Sequence, residues 1–122
     1  MLYISNANSY DYESELYEPI RQSDFYKNHQ VFLSSEPQNA GINLKDILDK
    51  VDLMIAEVSY PSTGQGIELG RADAAGIPIL CFYKAGNKPS SSVRYITDNL
   101  YAYKTTRELI DMITQRVEKA WA

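Results

Sequence analysis

Short apolar runs alternate along this chain with amphipathic stretches, and each run reads as a β-strand. Strands are predicted at Leu2–Ser5, Gln30–Leu33, Leu53–Val58, Pro78–Tyr83 and Leu100–Tyr103. Leu53–Val58 is apolar at nearly every position, the habit of a central parallel strand covered on both faces. Between the strands the spacing turns helical. A first helix is predicted from about Glu13 to Lys27, with Leu16, Ile20 and Phe25 inward and Pro19 marking either a later start or a kink. Asn43 reads as an N-cap, followed by Leu44, Ile47, Leu48 and Val51 on one face. Pro61, Gly64 and Gly66 punctuate a turn, and a helix begins near Gln65 and closes at Gly76. Ser90-Ser91-Ser92 caps a helix through about Thr97. Thr105 or Thr106 caps the last one, whose stripe is Leu109, Ile110, Ile113, Val117 and Ala120, with Trp121 near its end.

Strands alternating with helices and joined by right-handed crossovers imply an α/β, three-layer, doubly wound parallel sheet of five strands. The flavodoxin-like (Rossmann-like) order 2-1-3-4-5 is expected, in a single domain over residues 1–122. In such sheets ligands bind beyond the carboxyl ends of the strands, where the winding reverses between strands one and three. The loops there are Asn6–Asp11 and Ser59–Gly66. A helix starting near Gln65 puts Glu68 in or near its first turn, where unpaired N–H groups and the helix dipole favour an ionised carboxylate.

Composition narrows the partner. A formal net charge of -4 argues against binding a nucleic-acid backbone, which needs clustered Lys and Arg. No apolar run approaches the roughly 18 residues of a membrane span. The start, Met1-Leu2-Tyr3-Ile4-Ser5, lacks the features of a signal peptide, so a cytoplasmic protein is expected. A single Cys, Cys81, lies in an apolar run and reads as a packed thiol. One His, His29, leaves a His-based metal site or a Ser-His-Asp triad poorly supplied, and no metal or cofactor is expected. A small molecule is the expected partner.

The run Asp52 to Val58, followed by Pro61-Ser62, Gly64, Gly66 and Glu68-Leu69-Gly70-Arg71-Ala72, resembles the nucleoside 2-deoxyribosyltransferase superfamily. Its Pro-Ser-x-Gly-x-Gly-x-Glu-Leu-Gly-Arg-Ala pattern is more similar to the 2'-deoxynucleoside 5'-phosphate N-hydrolases than to the transferases. The resemblance implies a flavodoxin-like fold, a homodimer or larger assembly, and cleavage of the bond between base and deoxyribose in a nucleoside or nucleotide. It maps the nucleophile to Glu68, the 5'-phosphate contacts to Ser62 and the backbone of Gly64 beside Gly66, and a contact to the neighbouring subunit's phosphate to Ser92. Tyr3 aligns with a tyrosine that lines the nucleotide site, and Tyr10 on the adjacent loop is a candidate to stack on a base. Hydroxyls and exposed N–H groups near a helix start suit an anion on physical grounds as well.

The chain departs from that pattern in two places. Ser9 stands where the phosphate hydrolases carry an Arg, leaving Asn6, Asn8, Ser9, Ser62 and Ser92 to hold an anion. Leu44 stands where a catalytic Asp is expected. Asp46 is then the candidate general acid, although Asn43 followed by Asp46 also resembles a capping box. Glu57 is the other carboxylate to weigh, in a supporting role. These readings predict an N-glycosidase, hydrolytic or base-exchanging, with a glycosyl-enzyme intermediate on Glu68. The alternative is a non-catalytic nucleotide-binding or sensing domain that has lost its general acid.

Overall fold

A computed structural model of the chain describes residues 1–120, the side chain of Ala120 excepted. Five parallel strands, β1 (Leu2–Asn6), β2 (Val31–Leu33), β3 (Leu53–Glu57), β4 (Ile79–Lys84) and β5 (Leu100–Tyr103), form one sheet. Their order is β2-β1-β3-β4-β5, as expected. β1 runs in register with β3 from Leu2 opposite Leu53 to Asn6 opposite Glu57. Because side chains alternate along a strand, this pairing sorts residues to two faces.

On one face Leu2, Ile4, Leu53 and Ile55 pack with Leu16, Tyr17, Ile20, Phe25, Leu109, Ile113 and Val117. These come from α1 (Glu18–Arg21) and the turn before it, from α2 (Asp24–Asn28) and from α5 (Thr106–Ala120). The other face carries Tyr3, Met54 and Ala56 against Leu44, Leu69, Ala72 and Val93. Its cover is α3 (Leu44–Ile47), α4 (Thr63–Ala74) and a 3-10 turn at Ser91–Tyr95. Cys81 is wholly buried on this second face, where burial pushes its thiol up to about 12.

Several local readings change. The first helix is not continuous: a π-helical turn over Glu13–Tyr17 leads into α1. Pro19, having no N–H, cannot close an α-turn onto the preceding residues. α1 then stops because Ser23 Oγ donates to the Ile20 carbonyl at 2.5 Å and accepts from the Tyr26 N–H at 3.3 Å, capping α2. Asn43 does cap α3, which tightens into a 3-10 turn at Leu48–Lys50. Thr105 is the cap of α5, accepting from the Glu108 N–H. The Ala120 side chain, expected on the α5 stripe, and Trp121, expected near the helix end, lie outside what the structure describes. Among the described residues no helix is long and apolar enough to cross a membrane.

Tyr17 ties the first loop to this frame. Its hydroxyl donates to Asn6 Oδ1 at 2.6 Å and accepts the Ser35 N–H at 2.8 Å, joining β1, the first helical turn and the loop after β2. Removing it strands a buried acceptor and a part-buried donor. Tyr17→Phe should therefore destabilise the fold by about 1–3 kcal/mol. Urea titration should show a lower midpoint with an unchanged slope.

Candidate active site

Helix α4 starts two residues before its predicted position. Ser62 is the N-cap, its Oγ accepting the Gln65 N–H at 3.3 Å, so the helix begins at Thr63. Gly64 and Gly66 are helical and have ordinary negative φ, whereas Gly76 takes a φ of 75° and closes the helix. Glu68 therefore sits in the second turn, and the first turn contains no acidic residue. The expected support from free N–H groups does not reach it, since the dipole effect fades beyond the first turn.

What holds Glu68 is the sheet. α4 lies across β1 and β4, and the Glu68 carboxylate turns to the β1 flank. Tyr3 and Ser5, two residues apart and so on one face of β1, meet it there. The Tyr3 hydroxyl donates to Oε2, and Ser5 Oγ donates to Oε1 at 3.0 Å. The Tyr3 ring is stacked on Phe32 of β2, with centroids 5.2 Å apart and planes 19° apart. Burial pushes the Glu68 carboxyl above its ordinary value, and the two hydroxyl donors pull it back only in part. Burial, and then the neighbouring Glu68, push the Tyr3 phenol strongly upward, so it stays protonated as a donor.

The phosphate-turn residues lie on the opposite flank of α4. Ser62, Gly66 and Ser92 line a cavity of about 440 Å³ between the start of α4 and the Ser91–Tyr95 turn. Val58, Leu69 and Val93 give it an apolar floor, and no charged side chain lines it. Gly64 is exposed in the first turn of α4 and is not part of that lining. A Cβ built on Gly64, Gly66 or Gly70 would meet nothing within 4 Å. Neither Glu68 nor Tyr3 belongs to this cavity, so the predicted site residues fall into two groups on either side of one helix.

Others are placed differently again. Asn6 is buried, its Oδ1 held by Tyr17 and its Nδ2 donating to the Ala7 carbonyl at 2.9 Å. Ser9 is exposed on the first loop. Asp46 is exposed in the first turn of α3, beside a cap in which Asn43 accepts from the Lys45 N–H at 3.1 Å. The Tyr10 ring lies 4.7 Å from that of Tyr60, joining the two loops of the crevice, and its buried hydroxyl has no hydrogen-bond partner among the described residues. Glu57 emerges on the face opposite Glu68, bonded to Ser59 and Tyr103. Sequence reasoning missed Ser5, although its place two residues after Tyr3 was the available signal.

No family model matches the chain. Over 53 residues it is 45% identical to the 5-hydroxymethyl-dUMP N-hydrolase of Rattus norvegicus, a match covering 42% of this chain and 32% of that protein. The chain is similar to the nucleotide N-hydrolases. A second relative, from Methanosarcina barkeri and provisionally named 2'-deoxynucleoside 5'-phosphate N-hydrolase 1, is 40% identical over 72 residues, 57% of this chain and 45% of the relative. The chain thus spans less than half the length of these curated relatives. The CMP N-glycosidase of Clostridium botulinum superposes with a TM-score of 0.63 over 93% of this chain and 97% of that one, at 19% identity. That likeness bears on the fold. The resemblance and the sheet order drawn from the sequence are both borne out.

The raised Glu68 pKa has a testable sign. A carboxyl raised above its unfolded value favours the protonated fold, so its contribution is complete below the ordinary Glu range and is lost as pH rises through the folded value. Glu68→Gln imitates the neutral acid. Its melting temperature should exceed that of the wild type at neutral pH, with the gap closing toward about pH 4. A pH-independent gap would count against burial as the dominant cause.

Proposed function

We propose that this domain cleaves the N-glycosidic bond of a (deoxy)nucleoside or its 5'-monophosphate through a glycosyl-enzyme intermediate on Glu68. The observation that carries this reading is the Glu68 carboxylate itself, partly withdrawn from water and met on both oxygens by hydroxyls from β1. Perturbed carboxylates of this kind gather at functional sites. The similarity to N-hydrolases supplies the bond to be broken.

In the proposed reaction a Glu68 oxygen bonds to C1' as the C1'–N bond breaks and its electron pair passes to the base. Asp46, on α3 beside the same face of the sheet, gives that base a proton. Water then attacks C1', yields a proton to the Asp46 carboxylate and frees Glu68. A second base in place of water would give exchange. Tyr3, with Asn6 at the end of β1 and Ser9 on the loop after it, would border the nucleoside. Ser62, Gly64 and Gly66 would receive its 5' end, and Ser92 would serve a neighbouring copy in a homodimer or larger assembly.

A second reading, a nucleotide-binding or sensing domain without catalysis, draws on the exposure of Asp46 and the placement of Glu57 on the far face. Incubation with deoxynucleosides and their 5'-monophosphates should release free base, detected by chromatography. Glu68→Ala should lower that release by at least about 10³-fold. A nucleotide that raises the melting temperature without any base appearing would instead establish the binding reading. Adding a second base to the same assay separates hydrolysis from exchange.

A further inference from the structure

We propose that Glu57 is a positioning residue: from the face of the sheet opposite Glu68 it holds the Ser59–Gly66 segment in its substrate-binding shape. This rests on the N-glycosidase reading for what the segment binds. It rests on geometry for how the segment is held.

Glu57 ends β3, and only 4% of it is exposed. Each of its carboxylate oxygens is engaged. Oε1 accepts the Ser59 N–H at 2.7 Å; Oε2 accepts Ser59 Oγ at 2.7 Å and the Tyr103 hydroxyl. The same Ser59 Oγ accepts the Lys84 N–H at 2.8 Å, and the Ser59 carbonyl accepts Asn87 Nδ2 at 3.3 Å. The Glu57 carbonyl accepts Gln65 Nε2 at 2.9 Å, and Gln65 is buried inside the first turn of α4. Its N–H in turn reaches the Ser62 cap. One residue therefore ties the ends of β3, β4 and β5 to the start of α4. The segment so fixed carries Tyr60, Ser62 and Gly66 of the cavity wall.

A buried carboxylate with no cation is tolerated where hydroxyl and N–H donors surround it, and charge-assisted bonds of this type are the strong ones. Losing one partner leaves the rest under-satisfied. Glu68 is anchored separately, from β1 through Tyr3 and Ser5. Disturbing Glu57 should thus weaken binding at the segment while leaving the nucleophile in place, which predicts a change in KM without a matching change in kcat.

Three variants test this: Glu57→Gln, Ser59→Ala and the gentler Tyr103→Phe, which removes one donor and leaves both Ser59 bonds. In Ser59→Ala, amide exchange at Gln65 and Gly66 should quicken by about tenfold, and KM should rise by a similar factor with kcat within about twofold. Tyr103→Phe should move both readouts the same way by less, and Glu57→Gln should retain part of the effect of the native carboxylate through its remaining oxygen. Exchange that quickens uniformly across β1 and α5, or a kcat that falls while KM holds, overturns the proposal in favour of a purely structural role. If the wild type releases no base from any substrate, the N-glycosidase reading fails. Residue-resolved exchange in the unliganded protein then decides the positioning claim alone, with unchanged rates at Gln65 and Gly66 refuting it.

Discussion

The parallel pairing of β1 with β3 is the constraint on which the molecule depends. Its register runs from Leu2 and Leu53 to Asn6 and Glu57, and it fixes which side chains share a face. Tyr3 and Ser5 come out beneath α4, while Glu57 comes out among the residues covered by α5. A slip of one residue would exchange the two sets and dissolve both arrangements, because the side-chain period of a strand is two. The core holds the register by burying large apolar side chains on each side, Leu2 and Ile4 on one and Met54 on the other.

Two carboxylates near the carboxyl ends of the strands meet different fates as a result. Glu57 is enclosed by donors and serves as a junction between elements. Glu68 has two hydroxyl donors and a partly dry surrounding that disfavours its charge. Carboxylates with unequal surroundings take unequal roles, and here the sheet itself stands between them. Among the described residues the ion pairs between side chains lie elsewhere: Arg21 binds Glu13 and Glu36 at 2.7 Å each, and Lys84 binds Glu15 at 2.9 Å. These pairs are partly exposed to solvent, where screening keeps them weak.

Much of this could be read from residue order alone. Alternating apolar runs gave the strands, the crossover rules gave a doubly wound sheet, and the order adopted for it was the flavodoxin-like one. The start of α4 was misread because glycines usually mark turns; the Ser62 cap and the buried Gln65 carry two of them into the helix instead. The break at Ser23 was hidden because its hydroxyl bonds both backward and forward. Tyr3, which the resemblance assigns to the site, belongs to the core as well, 2% exposed with its hydroxyl on Glu68. Which flank of α4 each group takes depends on contacts between distant segments, and local periodicity does not report those.

The helical glycines of α4 have an energetic meaning beyond shape. Each Gly in a helix interior costs about 1 kcal/mol relative to Ala, because the unfolded chain it leaves has more freedom. Gly64, Gly66 and Gly70 gather in the first two-thirds of the helix, and none has a neighbour that a methyl group would strike. No steric demand accounts for them. Their effect is to lower the intrinsic helix propensity of this part of α4, so the end that frames the cavity depends on the Ser62 cap and on the Gln65 bond to the Glu57 carbonyl. The rest of the helix is held by Leu69 and Ala72, buried against the sheet.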